Sequence, residues 1–153
     1  MEIVKKESDF GMIDWWKKVV FENYANFNGR ARRAEYWNFT LLNVIIVLSF
    51  LILFALSIGM SYDSEPGFDA IILMVLLVAY ALGIAIPSIA VAVRRLHDTG
   101  KSGLWYLIGV IPFISSIGGI VLLVFYCLEG DRGQNQYGPD PKAPNNPASN
   151  QSW

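Results

Sequence analysis

Ala92-Val93-Arg94-Arg95-Leu96-His97-Asp98-Thr99-Gly100-Lys101-Ser102-Gly103 is a dense polar island between two long apolar runs, and it carries the only histidine of the chain. Its reading decides the fold class. An apolar run that ends in two arginines, passes a glycine turn and a lysine, and becomes apolar again is a membrane helix that surfaces, reverses and goes back in.

Composition agrees with that reading. The 153 residues make one domain at most. They are 54% apolar and only 16% charged, against about a quarter charged in soluble proteins. The net charge of −1 leaves no basic field to draw nucleic acid, so no nucleic-acid partner is expected. Cys127 stands alone, which excludes an intrachain disulfide. One cysteine and one histidine in distant positions give no zinc spacing, and neither metal nor cofactor is expected.

Upstream of the island, residues 1–28 form an amphipathic N-terminal segment. Asp14 is placed to cap a helix on which Trp16, Val19, Val20 and Tyr24 recur at helical spacing, with Lys17, Lys18 and Glu22 off that stripe. The stripe either lies in the headgroup region or packs on the rest of the protein, since amphipathicity does not name the surface covered. Asn28-Gly29 is expected to end that helix. Arg30, Arg32 and Arg33 follow, then Glu35 and the boundary aromatics Tyr36 and Trp37. From Tyr36 to Tyr62 no residue is charged, a run of ~40 Å as helix and enough to cross a bilayer. No secretory signal precedes it, so this first span is expected to act as its own targeting signal.

An acidic connector at residues 63–69 leads to a second uncharged run, residues 70–93. Ala81, Ala85, Ser88 and Ala92 share one of its faces, where small residues are expected to admit a neighbouring helix. Pro87 removes a backbone N–H and crowds the carbonyl of Gly83, which predicts a bend.

The third run, residues 102–128, is interrupted by Pro112, Ser115-Ser116 and Gly118-Gly119. One kinked crossing is the expectation. The alternative is a re-entrant hairpin of two pieces, each too short to cross. Everything after about Pro139 reads as a disordered tail with too little apolar content to fold, and residues 142–153 lie beyond the membrane domain altogether. The fold class is thus all-α, an integral membrane bundle with three apolar segments (about 36–62, 70–93 and 102–128) within a membrane domain of residues 29–141. Basic flanks place the N-terminus and the Arg94–Lys101 turn in the cytoplasm and the acidic connector outside. The side of the tail depends on the form of the third run.

Gly100-Lys101-Ser102 is not a phosphate loop, because position 95 is arginine where that motif needs glycine. His97 and Asp98 are adjacent and point apart on a helix, so they make a poor acid–base dyad. A histidine held by helix-end carbonyls, beside an Asp98 paired to arginine, is the preferred reading. Arg94 and Arg95 are expected to snorkel to the headgroups. With Arg30, Arg32, Arg33 and Lys101 they would form a cytoplasmic basic patch facing anionic lipid, with Glu35 and Asp98 as the natural ion-pair partners. None of the three runs holds Asp, Glu, Lys, Arg or His, which disfavours ion-coupled transport and intramembrane catalysis.

Three motifs carry a likeness: Phe27–Trp37, Arg94–Gly103, and Gly130–Pro141 with Asn135-Gln136-Tyr137-Gly138-Pro139 inside it. In that order they resemble the YhaH-type family of small bacterial inner-membrane proteins, known as domain of unknown function 805. The resemblance implies a compact multi-span inner-membrane protein and brings no activity, cofactor or catalytic residue. If the three motifs form one cluster, Tyr137 shares a face with Arg94–Lys101, which requires the hairpin. The functional expectation is a non-enzymatic membrane module that binds lipid or a partner protein through the polar cluster. A subunit of a homo-oligomeric channel or transporter is the rival, and a lipid-headgroup enzyme using His97 and Asp98 ranks last.

Overall fold

A computed structural model describes residues 7–59, 67–112 and 115–143. Among these the chain is helical apart from one isolated bridge between Asn135 and Gly138. A short 3-10 turn (Glu7–Asp9) precedes α1 (Met12–Lys17), which widens into a π turn (Lys18–Glu22). Two long helices follow, α2 (Arg33–Gly59) and α3 (Phe68–Asp98). A 3-10 helix (Gly103–Gly109) and α4 (Ser115–Cys127) complete the bundle.

The N-terminal helix starts and stops away from the expected residues. Gly11 is its cap, and Asp14 serves from the third helical position, where its carboxylate accepts the Gly11 N–H at 2.8 Å. It ends at Asn23, whose side-chain amide donates to the Lys18 carbonyl at 3.2 Å. The positive φ of Gly29, 81°, instead turns the chain into α2. The apolar stripe of the N-terminal helix packs inward except at Tyr24, which is exposed. Val19 is fully buried with Ala31, Phe39 and Val91, and Trp16 and Val20 lie against that cluster.

With 27 and 31 residues, α2 and α3 reach ~40 and ~46 Å, both long enough to cross a bilayer. No residue of α2's most apolar stretch is buried, and only 11% of that of α3 is. Core helices of soluble proteins bury such surface; here it faces outward. The expected small-residue face of α3 is half right. Ser88 and Ala92 turn inward, whereas Ala81 and Ala85 are exposed. The helix runs through Pro87, and the Gly83 carbonyl that Pro87 leaves without a donor accepts the Tyr24 hydroxyl at 2.7 Å.

The third run does not take the single crossing that was its first expectation. It folds back as the hairpin. Its first arm is the 3-10 helix and its second α4, whose 13 residues reach only ~20 Å. The reversal lies at Pro112, which cannot continue a helical ladder, and Ser115 caps it through its N–H to the Ile111 carbonyl at 2.8 Å. The arms touch backbone to backbone at Gly118, where an added Cβ would sit 2.2 Å from the Ile108 carbonyl oxygen. Leu122 and Tyr126 of α4 pack on Ala92 and Leu96 of α3. Both ends of the hairpin therefore return to the polar end of α3. The tail does not begin at Pro139 as expected, because the Asp140 carboxylate accepts the Lys142 N–H and holds 140–143 to the fold. Residues 131–143 are folded, and 144–153 are not among those described.

Candidate functional site

Helix α3 ends in a tight left-handed turn. Gly100 has φ 69°, its N–H donates to the His97 carbonyl at 3.1 Å, and the Lys101 N–H donates to that of Leu96 at 3.0 Å. This paired closure needs the conformational freedom of glycine. It leaves the last helical turn with Arg94, Arg95 and Asp98 directed into the protein, all three buried.

Asp98 stands between two guanidinium groups. Arg30 Nε donates to its Oδ1 at 2.9 Å, and Arg95 Nη1 donates to its Oδ2. The remaining donors go to backbone oxygens. Arg95 holds the carbonyls of Tyr126 (3.2 Å), Leu128 and Ala31 (3.5 Å). Arg30 holds those of Gly133 (2.6 Å), Asp131 and Gly138 (3.4 Å). One arginine thus fastens the end of α4 to α3, and the other fastens the segment beyond it. Alongside, Arg94 Nη1 donates to Glu35 Oε1 at 2.6 Å and Lys18 Nζ lies 3.5 Å from Glu35 Oε2, tying the first three helices together. Arg94 Nε and Nη2 are buried and have no partner among the described residues.

The segment from Leu128 to Lys142 lies over this collar as a strap. The Asp131 N–H donates to the Asp98 carbonyl at 2.7 Å, and the Asn135 side-chain amide donates to the His97 carbonyl at 2.9 Å. The Tyr137 ring stacks on His97 with centroids 3.9 Å apart and planes 4° from parallel. His97 Nδ1 lies 3.2 Å from the Gly29 carbonyl. A carbonyl only accepts, so this nitrogen carries the hydrogen. At Gly130 the strap comes so close that a Cβ would fall 2.0 Å from Asp98 Oδ2. The Asp140 carboxylate closes the strap by accepting the N–H of Lys142 (2.8 Å) and of Gly133 (3.2 Å). Its partial burial acts to raise its pKa. These two N–H groups, with Arg30 and Lys142 nearby, outweigh that and hold it below the usual carboxylate value.

Of the residues singled out by sequence, Arg30, Glu35, Arg94, Arg95, His97, Asp98 and Tyr137 meet in this collar. Arg32 does not: it pairs with Glu7 at 2.6 Å beside the Trp15 ring. Arg33 is exposed at the start of α2. Lys101 lies over the Phe125 ring, 4.5 Å from its centroid. Arg94 and Arg95 do not snorkel outward as expected, because buried carboxylates and carbonyls turn them inward. Asp98 faces the arginines while the His97 ring faces Tyr137, so the two form no dyad. Among the described residues no group of His, Cys, Asp or Glu is placed to hold a metal ion. Sequence reasoning missed Glu7, Lys18, Asp131 and Asn135. Asn135 lay inside a quoted motif, but its role is a contact to backbone, which no residue spacing announces.

Below the collar, a cavity of about 620 Å3 opens between α2, α3 and the hairpin. Tyr36, Asn43, Ser88, Gly119 and Tyr126 are among its walls.

Over residues 24–139 the chain matches the family described as a protein of unknown function, DUF805. It is 44% identical over 128 residues to inner membrane protein YhaI of Escherichia coli (strain K12), covering 83% of this chain and 95% of that relative. It is 41% identical over 130 residues to inner membrane protein YhaH of the same strain, covering 85% of this chain and 98% of the relative. No solved structure matches.

Proposed function

The chain belongs to the DUF805 family, and from that premise we propose that it is a multi-pass inner-membrane module that works by contact and holds membrane lipid at its collar end. The observation that carries this reading is the division of the molecule. Two long helices expose apolar faces and hold no Asp, Glu, Lys, Arg or His in 36–59 or 70–93, and they end in a collar whose buried charges pair with one another. Such faces suit lipid, and the absence of acidic, basic and histidine side chains from those stretches disfavours a proton or ion path. The collar is a clasp. Its cations serve carboxylates and carbonyls of the same chain, which leaves lipid contact to the cations outside it, Arg33 foremost.

Basic residues gather at the collar end, which orients that end, the N-terminus and the strap toward the cytoplasm. The test is native mass spectrometry of the protein released from mild detergent. A monomer that retains phospholipid is the expected result. A discrete oligomer without bound lipid would overturn this reading in favour of a pore.

A further inference from the structure

We propose that the cavity below the collar is a binding site for one anionic glycerophospholipid, its phosphate on Arg33 and one acyl chain in the cavity. This rests on the lipid-binding reading above and names the lipid and its seat.

Three observations carry it. The first is shape. The cavity follows α2 from Tyr36 to Leu48, ~18 Å of helix, close to the ~15 Å depth of one hydrocarbon leaflet. Its volume of about 620 Å3 falls in the range of small-ligand sites. Among its walls, Val44, Leu48, Val110 and Leu123 are themselves exposed, so it opens sideways where an acyl chain would enter.

The second is charge. Arg33, Tyr36, Thr40, Asn43 and Val47 follow one another at three- and four-residue steps on α2 and so share a face. Arg33 stands one turn nearer the collar than the cavity wall. It is exposed, and among the described residues no carboxylate pairs with it. A phosphate at headgroup level meets this guanidinium while the chain below it runs down the same helix face.

The third is a missing partner. Asn43 is hydrogen-bonded to Phe39 and Tyr80, and Ser88 donates to the Ile84 carbonyl at 2.7 Å. The hydroxyl of Tyr126 is buried and has no partner among the described residues. The Tyr126 ring lies 4.4 Å from that of Tyr36, the cavity residue of α2 nearest the collar. That is the level of a glycerol ester, whose carbonyl accepts hydrogen bonds and donates none.

Two substitutions separate headgroup from chain. Arg33 is exposed, so Arg33→Gln leaves the core intact. Gly119 lines the cavity, and a Cβ there meets nothing within 4 Å, so Gly119→Leu is the substitution chosen to fill the cavity. Native mass spectrometry from mild detergent, with phosphatidylglycerol, phosphatidylcholine or inorganic phosphate added, reads the result; thermal midpoints check the fold. Arg33→Gln is expected to lower phosphatidylglycerol retention about fivefold and phosphatidylcholine retention by less, because the choline cation already offsets the phosphate charge that Arg33 meets. Gly119→Leu, by excluding about two methylene groups, lowers both about tenfold. Tyr126→Phe is expected to lower retention without lowering the midpoint of the lipid-free protein, because it deletes a group that lacks a partner.

Phosphatidylglycerol retained equally by wild type, Gly119→Leu and Tyr126→Phe would overturn the site while leaving the lipid-binding reading in place. No phospholipid retained by the wild type would overturn both. Full competition by inorganic phosphate would reassign Arg33 to a free anion and overturn the lipid seat.

Discussion

At the residue scale, Asp98 holds the clasp together. Two buried guanidiniums share its carboxylate, and each also holds backbone oxygens from a different segment. A buried pair is weak evidence of net stability, because desolvation offsets much of the attraction. Removing one partner is another matter, since the remaining charges stay buried without compensation. Asp98→Ala is therefore expected to destabilise the protein by about 3–5 kcal/mol, read as a lowered thermal midpoint in detergent. A midpoint within error of wild type would show that water or lipid replaces the carboxylate. Glu35 plays the same part toward Arg94 and Lys18. The sequence offered these acids as partners for the arginines but could not say which acid would take which cation. Arg30 and Asp98 lie 68 residues apart, and only the fold sets that distance to zero.

At the element scale, the hairpin decides the architecture, and Gly118 decides the hairpin. The arms approach so closely there that any side chain would strike the Ile108 carbonyl. In an exposed helix Gly→Ala is favourable by roughly 1 kcal/mol. Here the steric term reverses that sign. Gly118→Ala is expected to loosen the hairpin and lower the thermal midpoint, whereas Gly119→Ala, with open space around it, should hold or raise it. Equal effects at the two positions would contradict the packing. The pair Gly118-Gly119 was visible as an interruption, as was Pro112. What neither showed was whether the chain would bend there or reverse. A kinked crossing and a hairpin use the same breakers, and the choice falls to contacts with α3 and to the hold of Arg95 on the Tyr126 and Leu128 carbonyls.

At the scale of the whole molecule, the strap converts a bundle of helices into a capped unit. Asp140 gives its closure a pH dependence. The folded carboxyl binds a proton less readily than the unfolded one, so its contribution is fully present above the ordinary aspartate pKa of about 4. The contribution is lost as pH falls through the lower folded value. Hydrogen exchange should therefore show protection of the Gly133 and Lys142 amides at pH 6 that declines once the pH is taken well below the ordinary aspartate value. Asp140→Ala should show the low protection at both. Protection in Asp140→Ala equal to wild type at pH 6 would assign the closure to Arg30 and the His97–Tyr137 stack instead.

The sequence by itself determined the membrane class, the two long helices and the confinement of charge to their ends. Those follow from the length and continuity of apolar runs and from the cost of a charge in hydrocarbon, both properties of neighbours along the chain. It determined, too, that Asp98 would pair with arginine, because a buried carboxylate beside two arginines has few other stable states. Only the tertiary structure decided that Arg94 and Arg95 turn inward, that the third run reverses, and that residues 131–143 fold as a strap. Each of these depends on which backbone carbonyls and N–H groups come within reach across the bundle. Every residue but proline offers the same two groups, so the sequence does not mark the ones that will be used.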